Sequence, residues 1–110
     1  MAVALAAAGC GSTASVGADR TLQVALSDYR VTPQDVRAPT GLLTLDVRNY
    51  GRLTHDLVVS LGGQVMVATK PIAPGQSEQL ETALAPGSYQ MASSILSDQA
   101  LGAYGTLTVR

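Results

Sequence analysis

The chain has 110 residues, of which 14% are charged, and its formal net charge at pH 7 is -1. This length fits one domain, because the chain is too short to bury two separate cores. The sparse and nearly balanced charge offers no basic surface to a phosphate backbone, so the composition argues against nucleic-acid binding.

The first ten residues are apolar and end at the single cysteine of the chain, Cys10. Small residues at positions 7–9 followed by Cys resemble the signal of bacterial lipoproteins, although Ala7 stands where Leu is commoner and no basic residue precedes the apolar run. The resemblance implies a signal segment over residues 1–10, lipidation of Cys10, and anchoring to the membrane of the cell envelope. An ordinary secretory leader cut at an Ala-x-Ala site, and a disordered start with a free thiol, are the alternatives.

Residues 11–19 are small and polar, which predicts a flexible tether between the anchor and a folded domain over residues 20–110. In that domain, short runs that alternate aliphatic and polar residues are separated by Gly and Pro, as in all-β sandwiches. The predicted strands are 21–27, 35–38, 42–49, 54–60, 64–69, 76–83, 87–93 and 104–109. They predict an all-β Greek-key sandwich or barrel of about seven or eight strands, with no helix required outside a possible helical turn in the loop 94–102.

Two stretches resemble the cupredoxin family of blue-copper proteins. Residues 49–55 read Asn-Tyr-Gly-Arg-Leu-Thr-His and are similar to the family's turn before its first copper-binding His. Residues 89–109 are similar to the family's C-terminal loop, which carries a Cys, a His and a Met and closes on Gly-x-Leu-x-Val. An early strand near residues 28–33 and Pro-Gly turns at Pro74 and Pro86 extend the resemblance over nearly all of the domain, so it implies the cupredoxin fold.

Aligned to the family's pattern without a gap, the four ligand positions are occupied by His55, Ser93 in place of Cys, Asp98 in place of the second His, and Ala103 in place of the axial Met. A blue-copper centre requires the thiolate, because two His and one Cys with a weak axial ligand give it its redox properties. A neutral hydroxyl is a poor substitute. We therefore expect no intact copper site and no bound cofactor, with His55 retained as a polar residue that hydrogen-bonds to Ser93 or Asp98.

The sequence thus predicts a non-enzymatic envelope lipoprotein with a binding or structural role, whose partner is an envelope protein or a small ligand. One alternative is a metal-handling or electron-transfer-related cupredoxin that binds copper or zinc through His55 and Asp98, with Met91 or a water. A remote alternative is a hydrolase with Ser93 as nucleophile, His55 as base and Asp98 as acid. The chain lacks the Gly-x-Ser-x-Gly elbow that would present such a nucleophile.

Other residues have simpler interpretations. Met66 and Met91 lie in apolar strands and are predicted to be core residues. Tyr89 follows a Pro-Gly-Ser turn, so its hydroxyl is predicted to bond to nearby backbone, as in a Greek-key corner. Tyr29 and Tyr50 are predicted to be exposed at one end of the sandwich and are the first candidates for a binding surface.

Overall fold

The computed structural model describes residues 13–28, 30–94 and 104–110. These residues form ten β-strands and no helix, so the predicted all-β class is confirmed, with more strands than the seven or eight expected. The strands are β1 (Thr13–Ser15), β2 (Thr21–Ser27), β3 (Arg30–Thr32), β4 (Asp35–Ala38), β5 (Gly41–Asn49), β6 (Val58–Leu61), β7 (Gln64–Ala68), β8 (Ser77–Leu84), β9 (Gly87–Ala92) and β10 (Tyr104–Val109). Within the part of the chain that is described, no helix has the length and apolar character needed to cross a membrane.

The strands form two mixed sheets that pack face to face. The six-stranded sheet has the order β1-β4-β10-β9-β6-β7, and the four-stranded sheet has the order β3-β2-β5-β8. Strand β4 pairs in parallel with β1 and β10, and β2 pairs in parallel with β5, while the other neighbours are antiparallel. The sheets are open, so the molecule is a sandwich and not a closed barrel.

Alternation along each strand builds the core between the sheets. In β5, Leu43, Leu45 and Val47 are at most 2% exposed, whereas the polar residues between them face outward. The same alternation in the neighbouring strands brings aliphatic side chains together from both sheets, because successive side chains of a strand point to opposite faces. The core is therefore aliphatic, as the shortage of aromatic residues requires. Tyr89 is the one aromatic side chain in the described core.

The edge strand β7 departs from the sequence prediction. The pairing of β6 with β7 shifts between Val59 and Ser60, which leaves Met66 without a partner residue in β6. This bulge turns Val65 outward, so Val65 is 59% and Met66 is 45% exposed. The prediction of Met66 as a core residue, which rested on the apolar strand around it, is wrong. Val67 pairs with the buried Val59 and packs against the core, so its neighbour Met66 points to the outer face. Met91, by contrast, is fully buried, as predicted.

The N-terminal part of the domain also differs from the prediction. Thr13–Ser15 form β1, which pairs in parallel with β4, and the backbone N–H of Val16 donates to the carbonyl of Arg37. These residues lie within the segment 11–19 that was predicted to be a flexible tether. The pairing explains the difference, because the edge of β4 offers backbone groups that even small polar residues can satisfy.

Replacing a core residue of β5 should cost far more than replacing an outward one. We expect Leu45→Ala to lower the free energy of unfolding by about 3 kcal/mol, since it removes a fully buried side chain and leaves a cavity. Leu42→Ala on the same strand is the matched control, because Leu42 is 55% exposed, and a change below about 0.5 kcal/mol is expected. Urea denaturation measures both variants. Equal losses would contradict the two-sheet core described here.

Candidate functional site

His55 lies in the connection between β5 and β6 and is held by backbone pairing. Its N–H donates to the carbonyl of Ile72 at 3.1 Å, and its own carbonyl accepts from the N–H of Ile72 at 2.7 Å. The strand predicted over 54–60 is therefore shorter than expected. Its first part forms only this isolated bridge, and β6 begins at Val58. The side chain of His55 is fully buried, so its ring orientation is fixed by its surroundings.

Asn49, the last residue of β5, explains why the Asn-x-Gly sequence precedes His55. Its buried side chain donates from Nδ2 to the carbonyls of Leu53 and Ile72, both at 2.8 Å, and its Oδ1 accepts from the N–H of Gly51 at 2.8 Å. One amide therefore closes the turn and ties it to the segment that pairs with His55. Both amide hydrogens and the amide oxygen are used, as a buried Asn requires.

Asp28, at the end of β2, is the partner of the His55 ring. His55 Nε2 lies 2.9 Å from Asp28 Oδ1, and the same carboxylate accepts the backbone N–H groups of Arg52 at 3.1 Å and Leu53 at 3.3 Å. Gly51 is required in this turn, because a Cβ there would overlap the Asp28 carboxylate and lie 3.0 Å from its backbone nitrogen. The predicted partners of His55 were Ser93 and Asp98. That prediction is corrected for the Nε2 nitrogen, because its hydrogen bond is made with Asp28.

These contacts also set the charge of the pair. The hydrogen bond from His55, helped by the backbone N–H of Arg52, holds the pKa of Asp28 below its ordinary value of 3.8. Asp28 is therefore an ionised acceptor near neutral pH, which assigns a proton to His55 Nε2. In the neutral ring the lone pair is then on Nδ1, the nitrogen with which His55 would bind a metal.

Ser93 follows β9 directly and contacts Asp56, the residue after His55. Its hydroxyl accepts the backbone N–H of Asp56 at 3.3 Å and donates to Asp56 Oδ1 at 3.3 Å. Ser94 adds two shorter bonds to the same carboxylate, from its N–H to Oδ1 at 2.6 Å and from its hydroxyl to Oδ2 at 2.7 Å. Ser93 and Asp56 are both buried. Their hydrogen bonds hold the end of β9 beside the residue that follows His55.

The structure therefore brings His55 and Ser93 to the same end of the sandwich, as the resemblance implied. Asp98, Ala103 and Cys10 lie outside the described residues. Met91 is part of the core cluster, in agreement with its predicted packing role. Within residues 13–28, 30–94 and 104–110, no group of three or more His, Cys, Asp or Glu side chains is arranged to hold a metal ion.

The two carboxylates of this site, Asp28 and Asp56, were not predicted from the sequence. Asp28 opens the stretch that resembles the early strand of the family, but nothing in its local pattern indicates that it reaches His55. Asp56 directly follows His55, and this adjacency is the only signal that could have found it. The predictions for Tyr89 and Tyr50 are confirmed, since the Tyr89 hydroxyl donates to the carbonyl of Ala85 at 2.6 Å and Tyr50 is 67% exposed. Tyr29, the other Tyr predicted to be exposed, lies outside the described residues.

The low pKa of Asp28 predicts how stability depends on pH. A carboxyl whose pKa is lower in the folded state contributes stability above the unfolded value of 3.8, and loses this contribution as the pH falls through the folded pKa. We expect Asp28→Asn to flatten the decline in the free energy of unfolding below about pH 5. Asp46→Asn is the control, because the Asp46 carboxylate makes no hydrogen bond within the described part of the chain, and it should keep the wild-type slope. Urea titrations across this pH range measure both, and a wild-type slope in Asp28→Asn would contradict the assignment.

Several solved structures are similar to this fold. Dithionite-reduced auracyanin from the photosynthetic bacterium Roseiflexus castenholzii is 25% identical with a TM-score of 0.78, and the match covers 86% of this chain and 99% of that one. Auracyanin B is 19% identical with a TM-score of 0.76, over 82% and 88% of the two chains. Reduced rusticyanin is 16% identical with a TM-score of 0.67, over 94% and 87%.

Comparison by sequence identifies the family but no individual relative. No curated protein matches the chain. The model of the cupredoxin-like domain matches residues 1–109, which is nearly the whole sequence. The chain therefore belongs to the cupredoxin-like domain family.

Proposed function

We propose that this protein is a cell-envelope lipoprotein whose cupredoxin-like domain carries no type 1 copper and has a binding or structural role. The observation that carries the proposal is the hydrogen bonding of Ser93. Its hydroxyl takes the alignment position of the copper-binding Cys and both accepts from and donates to Asp56. A side chain whose proton is directed to a carboxylate serves as a structural hydrogen-bonding group at that position.

The donor atoms of the chain support the same proposal. A type 1 centre takes two imidazoles and a thiolate from one domain, and this sequence contains one His and one Cys, with the Cys near its N-terminus at position 10. One imidazole and one neutral hydroxyl do not fit that centre. No electron-transfer step through copper is therefore assigned to the domain.

The core supports a fold that does not depend on a metal. The fully buried side chains of both sheets are mostly aliphatic, and their burial supplies the main driving force for folding. At the end of the sandwich, the bonds of Asn49, Asp28 and Asp56 fix the loops that a metal would otherwise hold. A cupredoxin-like sandwich whose loops are held by these hydrogen bonds can keep its shape without a metal and present its surface to a partner.

A catalytic role receives no support from the described contacts. A serine nucleophile needs a strong base that takes its proton, whereas the Ser93 hydroxyl donates to the carboxylate of Asp56, and the sequence has no Gly-x-Ser-x-Gly elbow to present it. We therefore assign the protein to the non-enzymatic binding class. The membrane location belongs to the same proposal and rests on the lipoprotein-like segment that ends at Cys10.

A metal titration tests the absence of the copper centre. The wild-type chain and its Cys10→Ser variant are each titrated with Cu(II), Cu(I) and Zn(II) while thermal stability and the visible spectrum are followed, and the variant shows what the N-terminal thiol contributes. We expect no intense blue absorption and no rise in the unfolding temperature at micromolar metal. The matched control is Cys10→Ser/His55→Ala, which should give the same flat titration.

Two results would overturn this part of the proposal. An intense blue band in the wild-type chain would mean that a copper–thiolate centre forms through Cys10 despite Ser93. Stabilisation by metal that disappears in the His55→Ala control would instead establish the metal-handling alternative, with His55 as its principal ligand.

Membrane attachment is tested through Cys10. In a bacterial host, the wild-type chain is expected to partition into the detergent phase and to show the mass of a lipidated N-terminal Cys, whereas Cys10→Ser should remain in the aqueous phase. Mass spectrometry of the purified protein measures the modification directly. A mature N-terminus that starts at another residue, with no lipid attached, would favour an ordinary secretory leader.

A further inference from the structure

The outer face of the four-stranded sheet contains a groove that the site at the loop end does not use. The groove has a volume of about 420 Å³ and runs along β2, with β3 on one side and β5 on the other. Ala25 forms its floor, and the small side chain leaves the space open. Thr32 and Pro33 line one wall, while Arg48 and Tyr50 line the other.

The strand register defines which side chains face one another across this groove. Ala25 pairs with Thr32 on one side and with Arg48 on the other, so these three form one row on the outer face. Ser27, two residues along β2, pairs with Arg30. Arg30 and Arg48 therefore lie on opposite sides of β2, on the same face, and are displaced by two residues along the strand.

Two arginines are available for a partner: Arg48 lines the groove, and Arg30 lies just beyond it, on the next outward row of the sheet. Both are exposed, and neither forms an ion pair within residues 13–28, 30–94 and 104–110. The Arg48 guanidinium lies 5.4 Å from the ring centroid of Tyr50, and this cation–π contact orients it beside an exposed aromatic surface. Arg and Tyr are the residues that most often carry the binding energy of protein interfaces.

The positions of the two arginines fit an extended chain that lies over β2. Arg48 and Arg30 flank β2, each one strand spacing of about 4.8 Å to its side, and their displacement along β2, about 6.6 Å, equals the rise between positions i and i+2 of an extended peptide. Carboxylates at these positions would meet Arg48 and Arg30 in turn, with the charge-assisted bonds that guanidinium forms best. Asp46 lies at the other end of the groove and disfavours negative charge there, so the acidic residues must lie toward the Arg end.

We propose that this groove is a docking site for an extended acidic peptide segment of a partner protein. The segment lies over Ala25, and two of its carboxylates, two residues apart, bind Arg48 and Arg30. This inference deepens the proposed binding role and rests on it, while the metal titration above tests the absence of copper independently of the groove.

The test is a fluorescence-anisotropy titration of the full chain with a labelled oligoglutamate peptide, at low and at moderate salt. We expect saturable binding that weakens with salt, and no binding of an oligoglutamine peptide of the same length. Arg48→Gln and Arg30→Gln should each weaken binding roughly tenfold. Arg37→Gln is the matched control, because Arg37 is also exposed but lies on β4 of the other sheet, and it should change the affinity by less than about twofold.

Two further variants separate a groove from diffuse charge attraction. Ala25→Leu fills the floor and leaves all charges in place, so it should abolish binding while circular dichroism shows an intact fold. Asp46→Asn should strengthen binding, since it removes the repulsive carboxylate. Equal losses in Arg37→Gln and Arg48→Gln, or full binding by Ala25→Leu, would overturn the proposal. Inorganic phosphate that displaces the peptide and is itself bound as tightly would identify a small-anion site instead.

If oligoglutamate does not bind at low salt, the acidic-peptide proposal is wrong. A flat metal titration in the same preparation would then still support the copper-free assignment. If the peptide binds and a blue copper band also appears, the acidic-peptide proposal stands and the copper-free assignment is wrong.

Discussion

The end of the sandwich depends on one buried amide, the side chain of Asn49. Its two N–H groups hold the carbonyls of Leu53 and Ile72, and its oxygen holds the N–H of Gly51. Since His55 pairs through its backbone with Ile72, this amide fixes both the turn before His55 and the segment beside it. A buried polar network of this kind is rigid only when every member is satisfied, and no buried side-chain polar atom in the described residues lacks a partner.

Two carboxylates extend this framework to the positions where a cupredoxin binds its metal. Asp28 orients the His55 ring, and Asp56 holds Ser93 and Ser94 at the end of β9. Both act by accepting several hydrogen bonds, which an ionised carboxylate does well because it has two acceptor oxygens. Hydrogen bonds to these two side chains hold the loops at this end of the domain.

Most of the fold followed from alternation and turn chemistry. β2, β4 and β10 have the bounds that were predicted, because in each of them alternate residues are buried between the sheets. The predictions failed where an edge decided the structure. Met66 is exposed on the outer face of the edge strand β7, and Thr13–Ser15 pair with the edge of β4 although their small polar residues give no strand signal of their own.

The sequence by itself determined the all-β class, the family resemblance and the residue types at the ligand positions, because these depend on local pattern and spacing. Only the tertiary structure decided which side chains act together. Asp28 and His55 are 27 residues apart and Asp56 and Ser93 are 37 apart, and the register of strands from different parts of the chain brings them into contact. The groove between Arg30 and Arg48 also depends on strand order. β3 and β5 lie on either side of β2, and local sequence cannot predict that arrangement.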